Sequence, residues 1–139
     1  MTETAYLADV ILPASAFPEK TGSFTNTDRL LQMGRQALNP PGDARQDLWI
    51  IQQMAAQLGL DWTSSNVSEV FDEMRHTIPR IAGITWERLV REHAVTYPCH
   101  HEGDPGESVV FTSTFPRESG RARFVPADII RADERPDHD

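Results

Sequence analysis

The chain has 139 residues, 39% of them hydrophobic and 24% charged, with a formal net charge of −8, a balance that argues against nonspecific nucleic-acid binding because a phosphate backbone is held by clustered Lys and Arg. No stretch reaches the roughly 20 apolar residues that cross a bilayer, and the single cysteine, Cys99, cannot form an internal disulfide or by itself hold zinc or an iron–sulfur cluster. The length suits one compact domain and the N-terminus lacks a basic segment followed by an apolar one, so the expectation is a soluble, cytoplasmic protein with no membrane partner.

Residues 3–7 predict a helical turn. Val10, Ile11 and Leu12 form an unalternated apolar run that ends at Pro13, the pattern of a strand over 9–12 covered on both faces, and this points to α/β architecture. Ligands of open parallel sheets bind beyond the carboxyl ends of the strands, where this chain places Glu19, Lys20, Gly22, Asn26, Asp28 and Arg29. Arg29 to Met33 suits another extended segment, and Asn39-Pro40-Pro41-Gly42-Asp43 is a turn.

Asp47 stands where a helix N-cap belongs, with Trp49, Ile50, Met54 and Leu58 as the apolar face and Gly59 as the C-terminal cap. A second helix is expected from Asn66, with Glu69 completing a capping box and Val67, Val70, Phe71 and Met74 as its stripe, stopping before Pro79. Thr85 caps a third, which buries Trp86, Leu89 and Val90 and ends before Tyr97-Pro98. From Glu107 onward, Val109 to Phe115 and Ala122 to Val125 read as two strands turning at Ser119-Gly120, followed by a loose charged tail over 131–139.

The polar residues have ordinary readings. Lys20 reads as a solvated loop lysine paired with Glu19, Asp47 as a cap, and Asp28 with Arg29 as a structural pair, although a guanidinium fork also suits phosphate or carboxylate. Gly22 supplies either a positive φ or a close backbone approach. Cys99-His100-His101 has no second cluster at ligand spacing and reads as a polar segment rather than a metal site. Asn66-Val67-Ser68 matches a glycosylation pattern by chance, and Trp49, Trp62 and Trp86 read as core or boundary aromatics.

The blocks TETAYLADVILPAS, FPEKTGSFTNTDRLLQ and NPPGDARQDLWIIQQMAAQLG, in that order, resemble the molybdopterin oxidoreductases, a family with a bis-molybdopterin guanine dinucleotide cofactor. TWERLVREHAVTYPC and GRARFVPADI are similar to the segment of formate dehydrogenase catalytic subunits that leads into their C-terminal barrel; nitrate reductase or another branch is the alternative. The resemblance implies a fragment of a Rossmann-like α/β/α cofactor-binding domain over 1–60, a helical and irregular segment over 61–106, and a hairpin-like segment with a charged tail over 107–139. It implies Mo or W on the pterins, formate as substrate, and the rest of the catalytic subunit and electron-transfer subunits as partners.

The same resemblance implies that Lys20 contacts the dinucleotide, where an ammonium suits its pyrophosphate, and that Asp47 binds the cofactor, where a carboxylate can accept from the N1–H and N2–H₂ edge of guanine. Gly22, Asn26 and Arg29 complete the expected cofactor-binding set, with no catalytic residue and no metal ligand in this chain. The family's 4Fe–4S motif, metal-ligating Cys or selenocysteine and catalytic His lie upstream of these blocks, so the chain is expected to be an internal piece that does not turn over substrate alone. A stand-alone, noncatalytic interaction domain is the other reading.

Overall fold

The computed structural model describes residues 2–62 and 66–130; the tail expected over 131–139 lies outside them. The chain divides into two units, residues 1–108 and 109–139, where length alone suggested one.

In the first unit a short helix α1 (Glu3–Tyr6) is capped by Thr2, whose hydroxyl accepts from Ala5 N–H at 3.3 Å. Residues 10–13 then run without regular pairing, and Val10, Ile11 and Leu12 are 75%, 52% and 53% exposed. The buried strand expected over 9–12 is therefore not formed. Such a strand is stable only between neighbours that take up its backbone groups and cover both faces, and the described residues supply one parallel bridge, Ala14 to Arg45.

The sheet is antiparallel and three-stranded, in the order β1 (Gly22–Thr25), β2 (Leu30–Gly34), β3 (Ala94–Thr96). Asn26 to Arg29 turn the chain between β1 and β2, closed by Asn26 N–H to Leu30 O and Arg29 N–H to Asn26 O, both 3.0 Å. The segment expected from Arg29 to Met33 is β2, in a mixed α/β fold whose described sheet is antiparallel rather than the parallel sheet anticipated from the 9–12 run. Gly34 lies under the Phe24 ring on the facing strand, so that a Cβ would overlap it. Phe17 stacks edge-on to Phe24 at 6.4 Å, seating the loop before β1 on the hairpin.

Three helices follow: α2 (Asp47–Gln57), α3 (Val67–Thr77) and α4 (Trp86–Glu92). Asn66 Oδ1 accepts from Glu69 N–H and Thr85 Oγ1 from Arg88 N–H, both at 3.0 Å, as their N-cap positions predicted. Helix α3 ends before Pro79, and Gly59 follows α2 at φ +76°, the left-handed conformation of a C-terminal glycine.

Leu31 and Val95 face each other across β2 and β3 and pack with Phe71, Ile81, Ile84, Leu89 and Cys99. Trp86 meets Phe71 at 5.7 Å on the edge of this core. Period-2 alternation turns Leu31 and Met33 inward from β2, while α3 and α4 contribute one stripe each. Val90, expected inside, is 44% exposed, because it stands off the stripe that buries Leu89.

Helix α2 departs most from expectation. Trp49, Met54 and Leu58 are 48%, 54% and 76% exposed, Ala55 alone is buried, and with Leu12 and Pro13 the stripe borders an apolar cleft of about 600 Å³. Nothing among the described residues covers that face. Trp49 instead lies beneath the Arg45 guanidinium, 5.9 Å from the ring centre.

Residues 109–130 form turns and bends with no paired strand, against the two expected after Glu107. Phe111 and Phe115 stack at 5.4 Å and Phe115 N–H reaches Gly120 O at 3.0 Å, which closes a turn at the anticipated place. The hydrogen-bond ladder stops there, and Phe124, Val125, Ile129 and Ile130 remain exposed.

Candidate functional site

The 13–20 segment and the start of α2 are drawn together by backbone bonds. Arg45 N–H donates to Pro13 O at 3.1 Å and Ser15 N–H to Arg45 O at 2.8 Å, which sets the two segments side by side just before α2. A single 3₁₀ turn over Phe17–Glu19 follows, opened by Pro18 and held by Glu19 Oε2, which accepts from Ala16 N–H at 2.9 Å. Ala37 and Leu38 N–H both donate to Pro18 O, fixing this turn on the segment that follows β2. Lys20 emerges extended and points back across the bridge.

Its ammonium donates to Asp47 Oδ2 and, at 3.3 Å, to Ser15 O. The ordinary pairing with Glu19 does not occur, because the Glu19 carboxylate is committed to its own turn. Asp47 is the first residue of α2, with Gln46 at the cap position, so it is not itself the cap. There it faces the positive end of the helix dipole, and Lys20 holds its carboxyl below the usual aspartate range. The Lys20 side chain is 25% exposed and that of Asp47 55%, so one partner is largely enclosed and the other open to solvent.

Beside this pair opens a cleft of about 260 Å³, bordered by Lys20, Gly22, Ser23, Gln46, Asp47 and Phe71. Gly22 is in ordinary extended backbone, and a Cβ built on it would meet nothing within 4 Å. Neither a positive φ nor contact with the rest of the chain requires glycine there. Ser15, whose carbonyl accepts from the ammonium, is 6% exposed, and its Oγ finds no hydrogen-bond partner among the described residues.

Lys20, Gly22 and Asp47 thus converge, and Asn26 and Arg29 do not. They stand at the far tip of the β1–β2 hairpin, about 13 Å along the strand from Gly22. Asn26 closes the turn through its backbone, and Asp28 Oδ1 accepts from Leu30 N–H at 3.4 Å. Arg29 adopts φ +69° and its guanidinium donates to Tyr97 O and Glu107 O, both at 2.9 Å, and to Ser108 O at 2.8 Å. It ties three carbonyls of the 97–108 segment to the hairpin.

A buried polar centre on the other side of the core was not anticipated. Arg88 is 5% exposed and donates to Glu92 Oε2 at 3.0 Å, Gly83 O and Cys99 Sγ at 3.2 Å, and Asp104 O at 2.8 Å. Burial pushes the Cys99 thiol up, opposed by Arg88, and the thiol faces Asp104 O at 3.4 Å. The Asp104 carboxylate accepts from His100 and Gly106 N–H, both 2.9 Å, which depresses its pKa and folds the loop onto itself. The i, i+4 spacing of Arg88 and Glu92 was readable as an ion pair; the burial of Arg88 under a loop 11–16 residues away was not. Among the described residues no three His, Cys, Asp or Glu are grouped to hold a metal ion, and no helix is long and apolar enough to cross a membrane.

Comparison with known proteins places these features in context. Residues 1–57 match the family model for molybdopterin oxidoreductase. The whole chain is 39% identical to the F420-dependent formate dehydrogenase subunit alpha of Methanocaldococcus jannaschii, covering 21% of that protein. It is 41% identical, over 96% of its length, to the F420-dependent formate dehydrogenase 2 subunit alpha of Methanococcus maripaludis, covering 20% of it. The chain therefore spans about a fifth of the length of these relatives.

Proposed function

Residues 1–57 belong to the molybdopterin oxidoreductase family, and from that premise we propose that this chain forms part of the cradle for a molybdopterin guanine dinucleotide in a formate-oxidising catalytic subunit. The observation that carries the reading is the Lys20–Asp47 ion pair on the rim of the cleft beside Gly22. A carboxylate at the open end of that pair offers two acceptors to the N1–H and N2–H₂ edge of guanine, and the ammonium offers charge to a phosphate. A side chain at Gly22 would stand in the space that a ligand needs. The residues present fit the group.

Bound there with Mo or W, the pterin cofactor supplies the two-electron chemistry that takes formate to CO₂ and a proton. The share of this chain is binding and orientation, as proteins commonly contribute to such cofactors. Arg29 acts at a distance by holding the hairpin on which Gly22 sits. In this reading the chain completes a Rossmann-like α/β/α domain of a cytoplasmic subunit, 4Fe–4S clusters and the substrate-contacting residues lie in the rest of that subunit, and electron-transfer subunits take the electrons onward. Names of the form "subunit alpha" among the relatives support a multi-subunit assembly.

The test uses guanosine diphosphate as a probe of the nucleotide end. Titration calorimetry on the chain should show binding to GDP in preference to ADP, since adenine lacks the paired N–H edge. Asp47→Asn should abolish the preference, with a loss of GDP affinity of at least about tenfold, the scale of a hydrogen bond to a charged group. In the full-length subunit the same change should lower pterin content. Equal affinity for GDP and ADP, or an unchanged preference in Asp47→Asn, would remove Asp47 from the guanine site.

A further inference from the structure

Lys20 and Asp47 border one cleft, yet each is engaged with the group that the other would offer to a ligand. The ammonium donates to Asp47 Oδ2 and, at 3.3 Å, to Ser15 O. The two residues stand 27 positions apart, on segments that the bridge of Ala14 to Arg45 sets side by side, so tertiary structure rather than helix spacing builds the contact. Of the two side chains the carboxylate is the more open to solvent. A ligand edge with two parallel N–H donors calls on both oxygens of a carboxylate at once. One of those oxygens is held by the ammonium, and the carboxylate in turn neutralises the charge that would draw an anion to the lysine.

We infer that this ion pair is a latch that couples the two ends of the nucleotide site. The inference rests on the nucleotide-cradle reading and adds regulation to it: base and phosphate bind with positive cooperativity because each releases the partner that the other requires. A phosphate that draws the ammonium off frees Asp47 Oδ2 for the guanine edge. Guanine on Asp47 frees the ammonium for phosphate, and linkage makes the two effects equal in size. The lysine can make the exchange, since its four-carbon stem is flexible and its three donors have no fixed fork geometry. A ligand carrying only the base must break the latch unaided and loses affinity by what the pair is worth. Ion pairs with an exposed partner set that loss, and hence the coupling, at about twofold to fivefold.

Two ligands and one substitution test the latch by titration calorimetry on the chain. Inorganic pyrophosphate in excess should raise the affinity for guanosine about twofold to fivefold, beyond any change produced by sodium chloride at the same ionic strength. Lys20→Met keeps an unbranched apolar stem and removes the ammonium. It should strengthen guanosine binding by a similar factor, weaken GDP binding, and abolish the response to pyrophosphate. Guanosine affinity that is unchanged or lowered in Lys20→Met would overturn the latch, because the lysine would then not compete with the base for Asp47. So would a pyrophosphate effect that survives the substitution. If the unsubstituted chain prefers GDP to ADP but its guanosine affinity ignores pyrophosphate, the latch falls and the Asp47 reading stands. If the unsubstituted chain binds neither GDP nor guanosine, both the inference and the reading beneath it fall.

Discussion

Asp47 combines two duties at one position, favouring the first turn of α2 and presenting a carboxylate to the cleft. Lys20 depresses its pKa, so the charged pair is present above the ordinary aspartate value and is lost as pH falls through the lower, folded value. Because the Asp47 side chain is 55% exposed, solvent screening holds its worth well below about 1 kcal/mol. Acid unfolding of wild type and Asp47→Asn should therefore nearly coincide, while guanosine affinity, free of any phosphate titration, should stay flat with falling pH until Asp47 protonates; a loss of affinity already near neutrality would contradict this. Gly22 separates function from folding in a similar way. Gly22→Val should leave the melting temperature within a few degrees, since the added atoms meet open space, yet it should weaken GDP binding severalfold. Unaltered affinity would mean that the ligand does not approach this strand.

At the scale of elements, α3 shows most plainly how local signals and packing agree. Asn66 caps it, Phe71 is 3% exposed against Ile84 and Leu89, and Trp86 closes over the ring from α4. Phe71→Ala should cost about 3–5 kcal/mol by urea denaturation, the range for emptying an aromatic site in a packed core; a cost below about 1 kcal/mol would mean that the core is not closed around it. Helix α2 had equally clear end signals and formed over the expected residues, but its apolar stripe stayed open. Periodicity states which residues form a stripe. Whether the stripe is covered depends on what lies opposite, and here nothing described does.

At the scale of the whole molecule, the chain divides into a compact unit over 1–108 and a second unit whose described residues, 109–130, have little regular hydrogen bonding. Limited trypsin treatment should cut first at Arg117, Arg121 and Arg123, which are exposed in irregular backbone, and should spare the buried Arg88 until the core unfolds. A first cleavage inside 66–108 would contradict that division. The apolar residues of 109–125 misled strand expectation because β-propensity reports fitness for a half-buried pleated surface, and the segment has no such surface to pair with. For the same reason Val10, Ile11 and Leu12 read as a buried strand and stand exposed.

By sequence alone, the helices α2, α3 and α4, the N-caps of α3 and α4, the extended RLLQM segment and the likeness of residues 1–57 to the molybdopterin oxidoreductases were legible, because each rests on neighbours within a few turns or on the order of specific residues. Only the tertiary structure decided that Lys20 bonds Asp47 across 27 positions instead of its neighbour Glu19, that Arg29 clamps a distant loop, and that Ser15 and Arg88 are buried. Those outcomes depend on which distant groups remain free once local bonds are satisfied: Glu19 was already spent on Ala16 N–H, and the Ala14–Arg45 bridge set the freed ammonium against Asp47.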